Sequence, residues 1–144
     1  VPAKAKKTRF IKISTKGKEL AADAKKWDAV LDTTTGLMWT VKEQKAKNHA
    51  AAVTAAEKTK AASYVTGWRL PTVEELFCLA DRSKYRPAID TDYFPDCKSD
   101  FYWTGTPWAE SPSGYAWFVS FDNGNSYCYH HGNDGFVRAV RASQ

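Results

Sequence analysis

Apolar positions recur along the chain in short segments with distinct periods. RFIKIS, residues 9–14, alternates and predicts a short strand, with the polar turn STKGKEL overlapping its end. In WDAVLD, residues 27–32, Trp27, Ala29 and Leu31 share one parity, which predicts a strand with one strongly apolar face. TTTG turns the chain, and LMW, residues 37–39, resumes the apolar run. From Glu43 to about Ser63 there are eight alanines; Ala46, Ala50, Val53 and Ala56 recur at helical spacing while Lys45, Lys47, Lys58 and Lys60 mostly face water. Thr40 with Glu43 fits a capping box for that helix, and Thr72 with Glu75 fits one for a second, just after Pro71. The second helix is expected to bury Val73, Leu76, Phe77 and Ala80 and to end near Asp81. Residues 82–100 lack periodicity and carry Pro87 and Pro95, so they read as a long structured loop. Strands follow at 101–107, 115–121, 125–130 and 136–142, with Asp122-Asn123-Gly124 as a tight hairpin turn. The plan is α+β: two helices packed on a small, mostly antiparallel twisted sheet.

Length and composition narrow this picture. The 144 residues suit one domain, or one domain plus a tail, and can bury roughly two-thirds of the unfolded surface. An apolar fraction of 43% and an aromatic fraction of 14% exclude a disordered or collagenous chain. No apolar run is long enough for a transmembrane segment. The opening VPAKAKKTRF has no apolar core of the kind a signal peptide needs. The net charge of +5 is polarised: residues 1–63 hold 14 Lys or Arg against 6 acids, and residues 64–144 hold 7 against 10. Cys78, Cys97 and Cys128 are too few for a disulfide scaffold, leave at least one thiol without an intrachain partner, and show no zinc spacing.

Several motifs occur in order: DTTTGLMW at 32–39, GWRLPTVEELFCLAD at 67–81, PAID at 87–90 and YFPD at 93–96. YWTGTPWA at 102–109, YAWFVSFDNG at 115–124 and VRAVR at 137–141 complete the series. Together, over about residues 27–141, they resemble the bacterial family catalogued as domain of unknown function 1566, also found at the end of a Legionella collagen-like adhesin. The resemblance implies a C-type-lectin-like fold related to formylglycine-generating enzymes, a sulfated polysaccharide as one ligand type, and no catalysis. Gly67 stands where the family commonly has Asp, and the first helix lacks a Trp frequently found there. Residues 1–26 are then a basic N-terminal extension with a short strand, and residues 27–144 the lectin-like domain.

Arg69, before the Leu-Pro helix start, reads as a framework cation tying loop carbonyls or an acid. Arg138 and Arg141 lie three apart on the last strand, and at least one belongs to the framework. Trp39, Trp68, Trp103 and Trp117 read as core, whereas Trp108, among turn residues, is a candidate stacking platform. Asp90, Asp92, Asp96 and Asp100 are the calcium candidates that the lectin resemblance suggests, but Pro95 occupies the Gly position of an EF-hand loop; no cofactor is expected. Asn123, Asn125, Tyr127, Tyr129, His130, His131, Asn133 and Asp134 make a hairpin rich in hydrogen-bonding side chains where a strand would alternate. Cys97, Cys128, His130 and His131 contain a thiol and a base, yet no spacing joins them into a catalytic unit.

These features predict a non-catalytic recognition module of a secreted, periplasmic or surface protein. A glycan or a protein would bind the 105–114 loop and the 123–135 hairpin. A second reading assigns Lys4, Lys6, Lys7, Arg9, Lys12, Lys16 and Lys18 to a polyanion such as heparin, anionic lipid or nucleic acid. A third is a variable receptor-binding protein of a diversity-generating retroelement, whose variable positions favour this residue set. A scaffold role would use the basic tail and the unpaired cysteine. Oligomeric state is left open.

Overall fold

The computed structural model describes residues 9–143, and the alternating segments assemble into two sheets. In the first, β1 (Phe10–Ile13), β2 (Ala29–Asp32), β3 (Leu37–Thr40) and the terminal strand β9 (Val140–Ala142) pair antiparallel in that order. The second runs β4 (Gln44–Ala46), β8 (Gly135–Val137), β5 (Phe101–Pro107), β6 (Tyr115–Ser120) and β7 (Ser126–His130). It is antiparallel apart from the parallel contact between β5 and β8. The architecture is α+β, as the pattern predicts, with two sheets instead of one.

The division arises at Arg138. The run 136–142, expected as a single strand, serves both sheets, β8 on one side of Arg138-Ala139 and β9 on the other. The Arg138 side chain is fully buried and donates to Thr40 O, Val41 O and Glu43 Oε2 at 2.6, 3.0 and 2.8 Å. Tyr102 donates its hydroxyl to the same Glu43 oxygen. Thus Arg138 is the framework arginine, while Arg141 is half-buried and reaches Thr66 O.

The first helix is shorter than its alanines suggest. Helix α1 spans His49–Glu57, and Gln44–Ala46 pair as β4. The expected Thr40/Glu43 cap cannot form because both residues are engaged elsewhere. Thr40 is buried in β3 and accepts from Ala139 N–H, and Glu43 is bound by Arg138 and Tyr102. Asn48 caps α1 instead, its side chain accepting from Ala51 N–H at 2.8 Å. Its buried stripe is Ala52 and Ala56; Ala50 is exposed. Ala62 and Ser63 adopt φ of 52° and 69°, which excludes helix at the expected end of this element.

Helix α2 (Val73–Leu79) forms as expected, with both halves of the Thr72/Glu75 capping box. Arg69 grips the same Glu75 carboxylate with two nitrogens at 2.7 and 2.9 Å, so its framework role is observed. Leu76 and Leu79 are the buried residues of α2, whereas Phe77 is exposed beneath the Arg82 guanidinium.

Alternation along β5 divides the interior. Tyr102 joins a core with Val30, Trp39, Leu76, Leu79, Phe94 and Val119, and Trp103 joins one with Met38, Ala52, Ala56, Trp68, Phe118 and Val137. Trp39, Trp68 and Trp103 are buried as expected; Trp117 is only half-buried, because it faces the other side of β6 opposite Cys128. Residues 82–100 contain no helix or strand and still bury Ala88, Ile89, Tyr93 and Phe94.

Candidate functional site

The Asp122–Gly124 turn sets the register of the hairpin. Gly124 has φ of 84° and donates to Ser120 O at 2.8 Å, and Ser120 N–H donates to Asn125 O at 2.8 Å. Phe118 therefore stands opposite Tyr127, and Ala116 opposite Tyr129. Across the next pair, Trp103 stands opposite Phe118. Helix α1 packs mainly on β4, β8 and β5. Toward β6 and β7 the same sheet face carries a row of aromatic rings.

These rings form a continuous ladder. Tyr127 lies 5.6 Å from Phe118, Phe118 lies 4.5 Å from Phe101, and Tyr129 lies 5.2 and 5.5 Å from those two, centroid to centroid. Tyr129 continues to Trp103 at 6.1 Å, and His49 meets Trp103 edge-on at 5.0 Å. His131 closes the series, stacked on His49 at 4.5 Å. Such offset and edge contacts are favourable geometries for ring quadrupoles. Phe118 and Trp103 form the buried floor, at 5% and 1% exposure, while Tyr127 and Phe101 form a rim at 48% and 36%. No Lys, Arg, Asp or Glu belongs to the ladder.

Its histidine end is fixed by hydrogen bonds. His49 Nε2 lies 2.9 Å from Thr104 O; a carbonyl only accepts, so this nitrogen carries the proton. Burial lowers the His49 pKa, the Thr104 carbonyl opposes that shift, and a charge on His131 would lower it further. The His49 backbone N–H also donates to His131 O at 2.8 Å, binding the start of α1 to the end of the hairpin.

The nine residues expected to form one binding face are distributed over several positions. Tyr127, Tyr129 and His131 join the ladder. His130 points to the opposite face, where it meets Tyr115, which in turn meets Trp108. Trp108 is half-buried. Asn123, Asn125 and Asn133 shape the turns: Asn123 Oδ1 accepts from Asn125 N–H, Asn125 Nδ2 donates to Tyr127 Oη, and Asn133 donates twice to His130 O. Asp134 makes an exposed ion pair with Lys45. Period-two alternation accounts for the split, since neighbouring strand residues cannot share a face. Phe101, Phe118, Trp103 and His49 were missed as partners of the tyrosines. The hairpin turn was the available signal, because closing it places Phe118 beside Tyr127.

The other candidates occupy different surroundings. Asp90 and Asp100 each accept a nearby backbone N–H, from Asp92 and Phe101. Among the described residues no group of three or more His, Cys, Asp or Glu is placed to hold a metal ion. Cys97 is buried against the Tyr102 hydroxyl, and burial pushes its thiol pKa up; burial also raises that of Cys128. Of the basic residues, Lys4, Lys6 and Lys7 lie outside the described residues. Arg9 pairs with Asp32, and Lys12 is buried and donates to Ala22 O and Ala24 O. Lys16 and Lys18 are exposed. Elsewhere in the basic half, Lys42, Lys58 and Lys60 line a cleft of about 330 Å³ with Asp28, Thr40, Gln44, Thr59 and Ala61.

Comparison with protein families decides the relationship: the model of the Lcl C-terminal domain matches residues 28–141. The chain belongs to the Lcl C-terminal domain family. No curated protein matches the chain. Membership makes this Lcl C-terminal domain an adhesin-associated domain of surface or secreted proteins. No helix among the described residues is long and apolar enough to cross a membrane. In this Lcl C-terminal domain the ladder lies on the same sheet face as α1 and runs from the start of that helix toward β7.

Proposed function

We propose that this domain is a non-catalytic glycan-recognition module, of C-type-lectin-like type, that binds through the aromatic ladder. The observation that carries the reading is the uncharged rim of Phe101 and Tyr127 over a floor of Phe118 and Trp103. Sugar rings present C–H faces that stack on aromatic rings and hydroxyls that need hydrogen-bond partners. Tyr127, with Asn125 beside it, offers both kinds of contact. Rim rings already packed on Phe118 lose little side-chain freedom on binding. The reading requires no metal and no activated nucleophile. Titration of neutral and sulfated oligosaccharides into wild type and the Phe101→Ala/Tyr127→Ala double variant tests it. Binding should fall at least about tenfold, the equivalent of one lost stacking contact of 1–2 kcal/mol. Unchanged affinity in a folded variant refutes it, and binding of a protein ligand alone reassigns the face.

The lysine cleft favours a second reading, an anionic glycan held by Lys42, Lys58 and Lys60. Three cations around one concavity attract sulfate or carboxylate groups by charge. The readings separate by salt: ladder binding is nearly insensitive, whereas cleft binding weakens steeply and is lost in Lys58→Ala/Lys60→Ala.

A further inference from the structure

Strand β7 is the outer strand of its sheet, and its free edge can be read from the hydrogen bonds on the paired side. Ser120 N–H donates to Asn125 O, and His131 N–H donates to Gly114 O. Residues 125 and 131 therefore direct their backbone groups toward β6. By antiparallel alternation, 127 and 129 do the same, and Ser126, Cys128 and His130 direct theirs outward. Of these, His130 O accepts twice from Asn133, so at His130 only the N–H is open to a new partner. The N–H and C=O of Ser126 and Cys128 and the N–H of His130 have no partner among the described residues.

An open edge is ordinarily blunted by charge, proline, a bulge or a covering segment. The other outer strands have such protection. Lys12 O in β1 accepts from Leu20 N–H, β9 exchanges two hydrogen bonds with Arg69, and β4 carries Lys45. Strand β7 reads SYCYH, without charged residue or proline, and its register with β6 is regular.

We propose that β7 pairs antiparallel with β7 of a second copy of this chain, about a two-fold axis through Cys128. This register uses all three outward-facing residues: Ser126 lies opposite His130 of the second copy, and Cys128 opposite its own equivalent. The paired strands contain no Lys, Arg, Asp or Glu; the acid that acts on Cys128 is Glu110, outside the strand. On the ladder face Tyr127 stands next to Tyr129 of the second copy, so the aromatic stripe runs on across the axis. On the other face, His130 of the second copy approaches the apolar groove of Val73, Phe77, Cys78 and Ser126, where Glu74 is the one charged residue. Opposed residues in a hydrogen-bonded antiparallel pair have Cα atoms about 5.5 Å apart, within reach of a disulfide. The interface borders the proposed glycan site at Tyr127, and the oligomeric state is read without any glycan, so the two readings fail separately.

The test is light scattering across concentration under reducing conditions, on wild type and Cys128→Lys. The lysine pair would face itself on the axis, and its backbone groups point away from β6, so the fold is retained; a thermal melt checks this. Wild type should dimerise, and the substitution should raise the dimerisation midpoint at least about tenfold. A second readout is oxidation by diamide in a Cys78→Ser background. Two Cys128 thiols give two electrons and two protons to diamide, which becomes the hydrazine, and one S–S bond joins the copies. A covalent dimer that disappears in Cys78→Ser/Cys128→Ser supports the axis. A monomer at every soluble concentration overturns the proposal. So does a dimer that Cys128→Lys leaves intact, or wild-type dimers that diamide fails to link through Cys128.

Discussion

Replacing Glu43 by Gln tests whether Arg138 is the charge about which the two sheets meet. The Arg138 side chain is 0% exposed and that of Glu43 7%, and their contact is 2.8 Å. The substitution preserves shape and removes the negative charge bonded to the guanidinium, leaving Thr40 O, Val41 O and a neutral amide oxygen as acceptors. Breaking one side of a buried pair costs about 3–5 kcal/mol. The remaining acceptors still stabilise the cation, so the low end, about 3 kcal/mol, is expected. For a domain of this size, that lowers the melting temperature by about 10 °C. Urea unfolding followed by tryptophan fluorescence measures it, because Trp39 and Trp103 are buried in the two cores. Glu43→Gln/Arg138→Met completes a cycle in which the double variant should lose less than the sum of the single variants. A loss under about 1 kcal/mol for Glu43→Gln would mean that the pair is solvated, and the account of the sheet junction would fail.

Two further outcomes follow from the ladder. Burial lowers the pKa of His49, so the unfolded chain binds more protons there below its ordinary value of about 6.5. Stability should hold above that pH and decline as pH falls from about 6.5 toward the folded pKa. In His49→Gln this part of the decline should vanish in urea titrations across the same range; an unchanged slope would assign it to other groups. A Cβ at Gly135 would lie 2.8 Å from Trp103 Cδ1 and Nε1, and Trp103 is only 1% exposed. Gly135→Ala should therefore cost about 1–3 kcal/mol by overpacking and alter the near-ultraviolet circular dichroism; a neutral effect would show that Trp103 can shift.

Much of the fold was legible because it depends on local chemistry. Pro71, Thr72 and Glu75 specify the start of α2 within five residues, and that cap is present. The Asp-Asn-Gly turn is likewise decided by its own residues, with Gly124 at positive φ. Alanine content misled at α1, because the alanines cluster at 50–56 and 61–62 while the ends of the segment, Gln44–Ala46 and Ala62-Ser63, are held by strand pairing and positive φ. Asn48 was the better boundary signal, and the residue heading the helix, a histidine, was not counted in its buried stripe. Phe77 misled for a related reason: its spacing fits the helical face, but Leu79 lies closer to the sheet and Arg82 covers the phenylalanine from outside.

The site was legible in part. Tyr127 and Tyr129 were singled out by composition, and the aromatic rings they meet come from strands and a helix distant in sequence. By itself the sequence determined the α+β class, the second helix, the hairpin and the family, since each rests on neighbours or on ordered motifs. Only the tertiary structure decided that residues 135–142 serve two sheets, because the reason is a guanidinium that must be neutralised 95 residues away, at Glu43. Only it decided that the polar hairpin has two faces, one of them an aromatic ladder. Strand alternation is local, but how much of a face a helix leaves uncovered depends on where that helix packs.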